Sequence, residues 1–224
     1  MSEEPTGVKG GVHKTVFYGQ KVDITMDRRL CMYAGECNRA KGGIFVKGRD
    51  PWCVPDQLSA DEAAEIVRRC PAGALSYKRK DGGPQEAPEP ANTILVSNNG
   101  PLYVRGDLEI EGAKPDMPAT KCRAALCRCG RSNRKPFCDD SHEDPLFDES
   151  GAVGEKGEGF EGQGGKLTIK CLPCGPLCVT GKHAILSGSG REAWKGSYSS
   201  LCRCGHSKEK PFCDGSHEEE GWKD

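Results

Sequence analysis

The sequence is poor in the side chains that usually build a large apolar core. Only 35% of its 224 residues are hydrophobic and 6% are aromatic, whereas it contains 30 glycines and 15 prolines. A chain of this size with so little apolar material is expected to need a source of stability besides burial. It also has no apolar run near the roughly 18 residues that a membrane-spanning helix requires. We therefore expect no association with a membrane.

Other signals are missing as well. A formal net charge of −1 provides no basic excess, so binding to nucleic acid is not expected. We find no nucleotide-binding loop and no nucleophile–base set, so we expect no enzymatic activity. The first 14 residues are polar and lack the apolar stretch of a secretory signal. We therefore expect a cytoplasmic protein whose thiols are reduced.

Cysteine, in contrast, is abundant. The chain contains 14 cysteines. In a secreted protein they would indicate a disulfide framework, but in a reducing compartment they indicate metal or redox ligands. Metal binding would also supply the stability that the small apolar content does not.

Two segments of the chain repeat at an interval of 75 residues. The register holds without a gap from residue 100 to residue 142. The matching segments are 100–102 with 175–177, 127–130 with 202–205, and 135–139 with 210–214. Such agreement predicts two copies of one structural unit.

Each repeat begins with short segments that alternate as strands do around a turn. The predicted strands are 93–96, 102–104 and 107–110 in the first repeat, and 167–171, 177–179 and 184–186 in the second. A loop with candidate ligands and one short helix should follow. Because a small sheet cannot bury its face alone, we expect the repeats to form a two-sheet β sandwich with pseudo-twofold symmetry. The protein should then be a monomer.

Both repeats contain the pattern Cys-x-Cys, eight residues, Cys, three residues, His. The candidate ligands are Cys127, Cys129, Cys138 and His142 in the first repeat, and Cys202, Cys204, Cys213 and His217 in the second. Thiolates bind iron, and the chain must fold back to present the other two ligands to a second iron. Asp139 and Asp214 are expected to accept backbone N–H bonds from the following helical turn. Zinc is the alternative, although zinc ligands usually come as Cys-x2–4-Cys pairs.

The second ligand segment contains Cys213-Asp214-Gly215-Ser216-His217, and it resembles the CDGSH iron–sulfur domain family. Further matches are Ser207, Pro211 and Phe212, and in the first repeat Ser132, Pro136 and Phe137. In the first repeat Asp140 replaces the glycine, and it would be strained if that position needs a positive φ. The resemblance implies a [2Fe–2S] cluster on three Cys and one His in each repeat, within a β sandwich of two modules. It also implies electron transfer, cluster transfer or redox sensing.

The N-terminal block contains a second type of cysteine pattern. Cys31 and Cys37 precede a predicted helix at 59–69, capped by Ser59, and Cys70 is followed by proline. This is the bacterial ferredoxin arrangement, except that Ala34 occupies the position of the middle cysteine. The block resembles the divergent single-cluster ferredoxin domains.

Three thiolates suit a [3Fe–4S] cluster, whereas a [4Fe–4S] cluster needs a fourth ligand. Cys53 is a candidate donor, although cysteines are also often simply buried. We therefore expect one [3Fe–4S] or [4Fe–4S] cluster on Cys31, Cys37 and Cys70.

Several remaining residues have less specific patterns. We expect Cys171 and Cys178 to pack in strands and Cys174 to lie in a turn, and we expect Cys122 not to be a ligand. Basic residues near the clusters should offset their negative charge or steer an acidic redox partner. These residues are Arg128, Arg131, Arg134, Lys135, Arg203, Lys208 and Lys210.

Together these patterns predict an α+β protein with a small ferredoxin-like domain and two pseudo-symmetric β-rich modules. The predicted divisions are a ferredoxin-like domain at 8–80, a linker at 81–90, modules at 91–147 and 166–224, and a flexible linker at 148–165. We expect a multi-cluster protein that transfers electrons or clusters to a redox protein or an apo-acceptor. The alternatives are a zinc-based interaction module and a redox-sensing subunit of an oxidoreductase.

Overall fold

The computed structural model describes residues 7–143, 147–154, 156–162 and 164–224. The chain forms two compact units, Met1–Ala87 and Pro88–Asp224, and the division falls within the segment 81–90. The fold is α+β, with many strands and few short helices. Among the described residues, no helix has the length and apolar character needed to cross a membrane.

In the described part of the N-terminal unit, four antiparallel strands form one sheet in chain order. The strands are β1 (Gly7–Gly10), β2 (Lys14–Tyr18), β3 (Val22–Asp27) and β4 (Leu75–Arg79), and the helices are α1 (Glu36–Arg39) and α2 (Ala60–Arg68). The helix predicted at 59–69 begins as expected. Ser59 Oγ accepts a hydrogen bond from Glu62 N at 3.3 Å, and Glu62 Oε2 accepts one from Ser59 N at 3.0 Å. This capping box directs the apolar face of α2 into the core.

The C-terminal unit contains the two repeats. Its elements are β5 (Thr93–Val96), β6 (Leu102–Arg105), β7 (Asp107–Glu111), β8 (Arg123–Leu126), β9 (Lys166–Cys171), β10 (Leu177–Leu186), β11 (Glu192–Leu201) and α3 (Ser216–Glu219). The strands predicted at 177–179 and 184–186 are parts of the single strand β10. The strands β8 and β11, which lead into the ligand segments, were not predicted.

The two repeats exchange strands. Strand β7 of the first repeat pairs in parallel with β9 of the second, with Glu109 opposite Thr168. The second half of β10 pairs in parallel with β5 of the first repeat, with Ala184 opposite Thr93. The two registers are related by the same interval of 75 residues. Each repeat therefore completes the sheet of the other.

This exchange changes the predicted architecture. The expected two-sheet sandwich is not confirmed, because the described strands β5–β11 form one continuous hydrogen-bonded sheet of seven strands. The reason is the length of β10, which pairs with β9 along its first half, with β5 along its second half, and with β11 along both.

The internal exchange leads to a prediction about the oligomeric state. Because each repeat receives its partner strand from the same chain, we expect a monomer in dilute solution. Light scattering over a range of concentrations would measure this. A dimer that persists at every concentration would show that the repeats exchange strands between chains instead.

The segment between the repeats was predicted to be a flexible connection. Its residues 155 and 163, like residues 144–146 before it, lie outside the described residues. Phe147 and Val153 are buried, Asn99 N donates to Glu149 O at 2.8 Å, and Gly188 N donates to Gly151 O at 2.9 Å. These contacts hold the first part of the segment against the repeats.

Candidate iron–sulfur sites

Both ligand segments present their donors in two pairs. In the first segment, Cys127 Sγ lies 3.7 Å from Cys129 Sγ, and Cys138 Sγ lies 3.2 Å from His142 Nδ1. In the second segment the corresponding distances are 3.6 Å and 3.4 Å. The eight predicted ligands thus lie in four close pairs, two in each segment.

These spacings are those of ligands that share one tetrahedral metal. Two sulfurs bound about 2.3 Å from such a metal lie about 3.8 Å apart, and a sulfur and an imidazole nitrogen lie about 3.5 Å apart. In the described ranges, no group of three or more His, Cys, Asp and Glu side chains is arranged to hold a single metal ion. The donor set fits a two-iron cluster in which each pair binds one iron.

Backbone hydrogen bonds return each ligand segment to the end of its strand. Cys127 follows β8, and its N–H donates to Pro136 O at 2.8 Å, while Cys138 N donates to Ala125 O at 2.9 Å. The second segment has the same two bonds after β11, with the same distances. The third cysteine of each set is therefore held beside the strand that directly precedes the first.

The aspartates after the third cysteines act as predicted. Asp139 accepts hydrogen bonds from Ser141 N at 3.2 Å and Asn133 N at 2.9 Å. Asp214 accepts the equivalent bonds at 3.0 Å and 2.8 Å. Asp214 also accepts a hydrogen bond from the Ser216 hydroxyl at 2.7 Å. This bond has the largest effect, and together the three bonds hold the pKa of Asp214 well below its usual range. They orient the turn that carries the histidine.

The irregular Asp140 has the backbone conformation of the glycine it replaces. Its φ is 80°, and that of Gly215 is 92°, so the predicted strain is present. The Asp140 carboxylate lies 3.6 Å from His142 Nε2, and Glu218 lies 3.8 Å from His217 Nε2. Sequence reasoning missed these carboxylates, because they come from different positions in the two repeats. At these distances the carboxylates place negative charge beside each imidazole without a hydrogen bond to it.

Burial changes the acidity of the ligand thiols. It raises the pKa of Cys138 to about 12 and that of Cys204 to about 11. In the first Cys-x-Cys pair, the hydrogen bond from Cys129 lowers the pKa of Cys127 to about 6, whereas the same contact raises that of Cys129. Iron bound by these sulfurs would therefore have to displace protons from most of them, and its binding would release protons.

The two ligand segments contact one another. A Cβ atom added to Gly130 would lie 2.2 Å from Cys204 O, and one added to Gly205 would lie 2.7 Å from Cys129 O. Cys129 and Cys204 line the same cavity of about 250 Å³. Trp222 also lines it and donates from Nε1 to Gly130 O at 3.3 Å. One ligand of each site therefore borders a common space.

Two of the basic residues near the ligand segments are buried. Arg128 and Arg203 are only 3% and 2% exposed, so of the two expected roles their burial favours offsetting negative charge over steering a partner. Their Nε atoms donate to Gly100 O and Gly175 O, each at 2.7 Å. They bind the hairpins of the repeats to the ligand segments, because a buried guanidinium needs carbonyl acceptors.

The N-terminal unit brings three predicted ligands together. Cys31, Cys37 and Cys70 line one cavity of about 440 Å³, and Ala34 lines it as well. Cys53 does not line this cavity. It is 1% exposed within the apolar core, where burial raises its pKa to about 12. The cavity thus has three thiols and no fourth cysteine.

Sequence reasoning missed the polar groups of this cavity. Glu36, Asn38 and Lys47 also line it, and no spacing rule singled them out. Glu36 and Asn38 lie in α1, directly after the segment that contains Ala34, and this position brings them to the cavity. They could offer oxygen atoms to an iron that lacks a cysteine.

The remaining cysteines lie where they were expected. Cys171 is buried at the end of β9, Cys178 is partly buried in β10, and Cys174 is exposed in the turn between them. Cys122 is partly buried and belongs to neither ligand set.

Family comparisons agree with this geometry. Residues 99–143 and 174–218 match the family model described as an iron-binding zinc finger of CDGSH type. Residues 17–80 match the model described as a divergent 4Fe–4S mono-cluster. This is a tandem CDGSH iron–sulfur protein with a divergent mono-cluster domain. The resemblance read from the two ligand patterns is confirmed.

Curated relatives match part of this CDGSH protein. The uncharacterized protein YjdI of Escherichia coli strain K12 and that of strain O157:H7 are each 33% identical to it over 64 residues. The match covers 29% of this chain and 84% of each relative. No solved structure matches the chain significantly.

The separation of Cys53 from the N-terminal cavity leads to a prediction. The variant Cys70→Ala should lose the iron of the mono-cluster domain, because it removes one of three thiolates. The matched variant Cys53→Ala should keep that iron and lose only stability, by roughly 1 kcal/mol, since a small buried group is deleted. Iron analysis and thermal denaturation measure both effects. Loss of iron from Cys53→Ala at intact folding would make Cys53 a ligand.

Proposed function

We propose that this CDGSH protein carries electrons and that its two tandem sites each hold a [2Fe–2S] cluster. The mono-cluster domain holds one [3Fe–4S] or [4Fe–4S] cluster in the cavity of Cys31, Cys37 and Cys70. Its partner is a redox protein, and the chain itself converts no substrate. Two thiolates on one iron and a thiolate with an imidazole on the other are the chemistry that the paired donors support.

The observation that carries the proposal is the cavity shared by Cys129 and Cys204. Each of these cysteines belongs to one set of ligands, and their loops touch through Gly130 and Gly205. Electrons delivered to one cluster therefore have a short path through protein to the other. We infer that the pair of clusters exchanges electrons within the chain.

Cluster delivery is the second candidate function. The four cysteines of the Cys-x-Cys pairs are buried, whereas Cys213 and His217 are only partly buried. A cluster whose outer ligands are partly exposed is easier to hand to an acceptor, because the acceptor's thiolates can reach the outer iron.

One experiment separates the two functions. Reduced protein is mixed anaerobically with either an electron acceptor, ferric cytochrome c, or a cluster acceptor, an apo-ferredoxin. Electron transfer predicts rapid oxidation of the clusters with their iron retained, and only slow loss of iron to the apo-ferredoxin. Fast and complete loss of iron to the apo-ferredoxin, with little reduction of cytochrome c, would contradict the electron-transfer role.

A further inference from the structure

The two CDGSH repeats differ at a position where the second carries an indole and the first does not. Trp194 in β11 is 9% exposed. Its ring centroid lies 6.0 Å from that of Phe212 and 5.0 Å from that of His183. At the equivalent position, 75 residues earlier, the first repeat has Ala119.

The first repeat has a cavity in the place of that indole. Four residues adjoin Trp194 in the second repeat, by ring contact, strand pairing or close approach: His183, Ile185, Gly196 and Phe212. Their counterparts in the first repeat are Leu108, Ile110, Lys121 and Phe137. All four counterparts, together with Ala119, line one cavity of about 590 Å³. Because the two repeats are equivalent, the indole of Trp194 indicates that a planar aromatic group fits this cavity.

A polar atom without a partner also lines the cavity. Thr120 is 8% exposed, and among the residues that the structure describes its buried Oγ1 has no hydrogen-bond partner. Buried hydroxyl groups in folded proteins are normally hydrogen-bonded. A bound molecule with a polar atom beside its ring would supply the missing partner.

The charges around the cavity favour a negative occupant. Lys114, Lys121 and Lys166 line it against the two carboxylates of Asp107 and Glu109. One lysine is already matched, since Lys166 Nζ lies 3.4 Å from Glu109 Oε2. The lining keeps an excess of positive charge, which attracts an anion.

We propose that this cavity is a binding site for a small planar aromatic molecule that bears an acidic group. Its ring packs beside Phe137, as Trp194 packs beside Phe212 in the other repeat with the two ring planes inclined by 56°. A polar atom of the molecule hydrogen-bonds to Thr120 Oγ1, and its acidic group faces the lysines. The volume falls in the range of small-molecule sites. Because Phe137 directly precedes the cluster ligand Cys138, occupancy should also change the visible circular dichroism of the first cluster.

The test uses indole-3-carboxylate as the probe and the full, cluster-loaded chain. Calorimetric titration should show saturable binding at one site per chain, tighter than that of neutral indole. Ala119→Trp fills the cavity with the side chain that the second repeat already contains, so it should weaken binding at least tenfold. Ala91→Trp adds the same side chain at an exposed position and should leave binding unchanged. Thr120→Val, which keeps the shape, should weaken binding about three- to tenfold, as expected for one hydrogen bond.

Three outcomes would overturn the proposal. The first is no saturable binding of either indole-3-carboxylate or indole to the wild-type chain. The second is equal binding by Ala119→Trp and wild type, with the Ala119→Trp chain folded by circular dichroism. The third is saturable binding of a tryptophan-containing acidic peptide without binding of indole-3-carboxylate, which would assign the cavity to a protein partner instead.

Discussion

Replacing His217 by cysteine is expected to lower the reduction potential of the second CDGSH cluster by on the order of 100 mV. A neutral imidazole is replaced by a thiolate, and the added negative charge disfavours the reduced state. The change should also slow the loss of that cluster in acid, at least tenfold at a pH one or two units below neutrality. Protons compete with iron for the imidazole nitrogen, whereas a bound thiolate is harder to protonate. Redox titration and the decay of visible absorbance after a pH jump measure the two effects.

The first repeat provides the matched comparison. His142→Cys should produce the same two changes at the first cluster, although Asp140 rather than Glu218 lies beside the imidazole there. In each variant the unchanged cluster serves as an internal control, with its potential and acid lability as in wild type. If His217→Cys still binds a cluster but leaves the potential and the acid lability unchanged, His217 is not a ligand and the three-cysteine, one-histidine assignment is wrong.

The second large effect is expected from Gly130→Ala. The φ of Gly130 is 78°, and the added Cβ would lie 2.2 Å from the backbone carbonyl oxygen of Cys204. Strain at a positive φ costs about 1–3 kcal/mol, and overpacking against backbone costs a further 1–3 kcal/mol. We expect the two loops to separate. The cluster absorbance should then be lost at a much lower temperature than in wild type.

The matched control is Gly215→Asp. Gly215 has a similar φ of 92°, but no atom lies within 4 Å of its added Cβ, and Asp140 occupies the equivalent position in the first repeat. Because only the positive φ opposes the new side chain, Gly215→Asp should lower the free energy of unfolding by about 1 kcal/mol. Equal thermal midpoints for Gly130→Ala and Gly215→Asp would show that the loops do not depend on the close contact.

Much of the local structure was predictable because it depends on local chemistry. Ser59, as an N-cap residue, placed the start of α2, and the repeated ligand spacing placed the pairs of cluster donors. The φ of Asp140 could be anticipated from the glycine at the same position in the other repeat. In these cases a few neighbouring residues determine the backbone.

The rest depends on contacts between distant residues. The strand exchange pairs β7 with β9 and β10 with β5 across more than 50 positions of sequence, and periodicity does not report such partners. The role of Cys53 also depends on distant residues. The sequence does not distinguish a buried cysteine from a cluster ligand, and only the structure shows that Cys53 does not line the cavity. The burial of Arg128 and Arg203 could not be predicted either, because the carbonyls that they bind are 28 residues away.

The most direct test of the account is the content of iron and acid-labile sulfide in anaerobically purified protein, with EPR spectra before and after reduction. Two clusters in the tandem sites contribute about four irons and four sulfides, and the mono-cluster domain contributes about three or four irons. We therefore expect about seven or eight irons per chain, and signals from two reduced [2Fe–2S] clusters. Zinc without sulfide, or iron in the mono-cluster domain alone, would contradict the assignment of the paired cysteine–histidine donors.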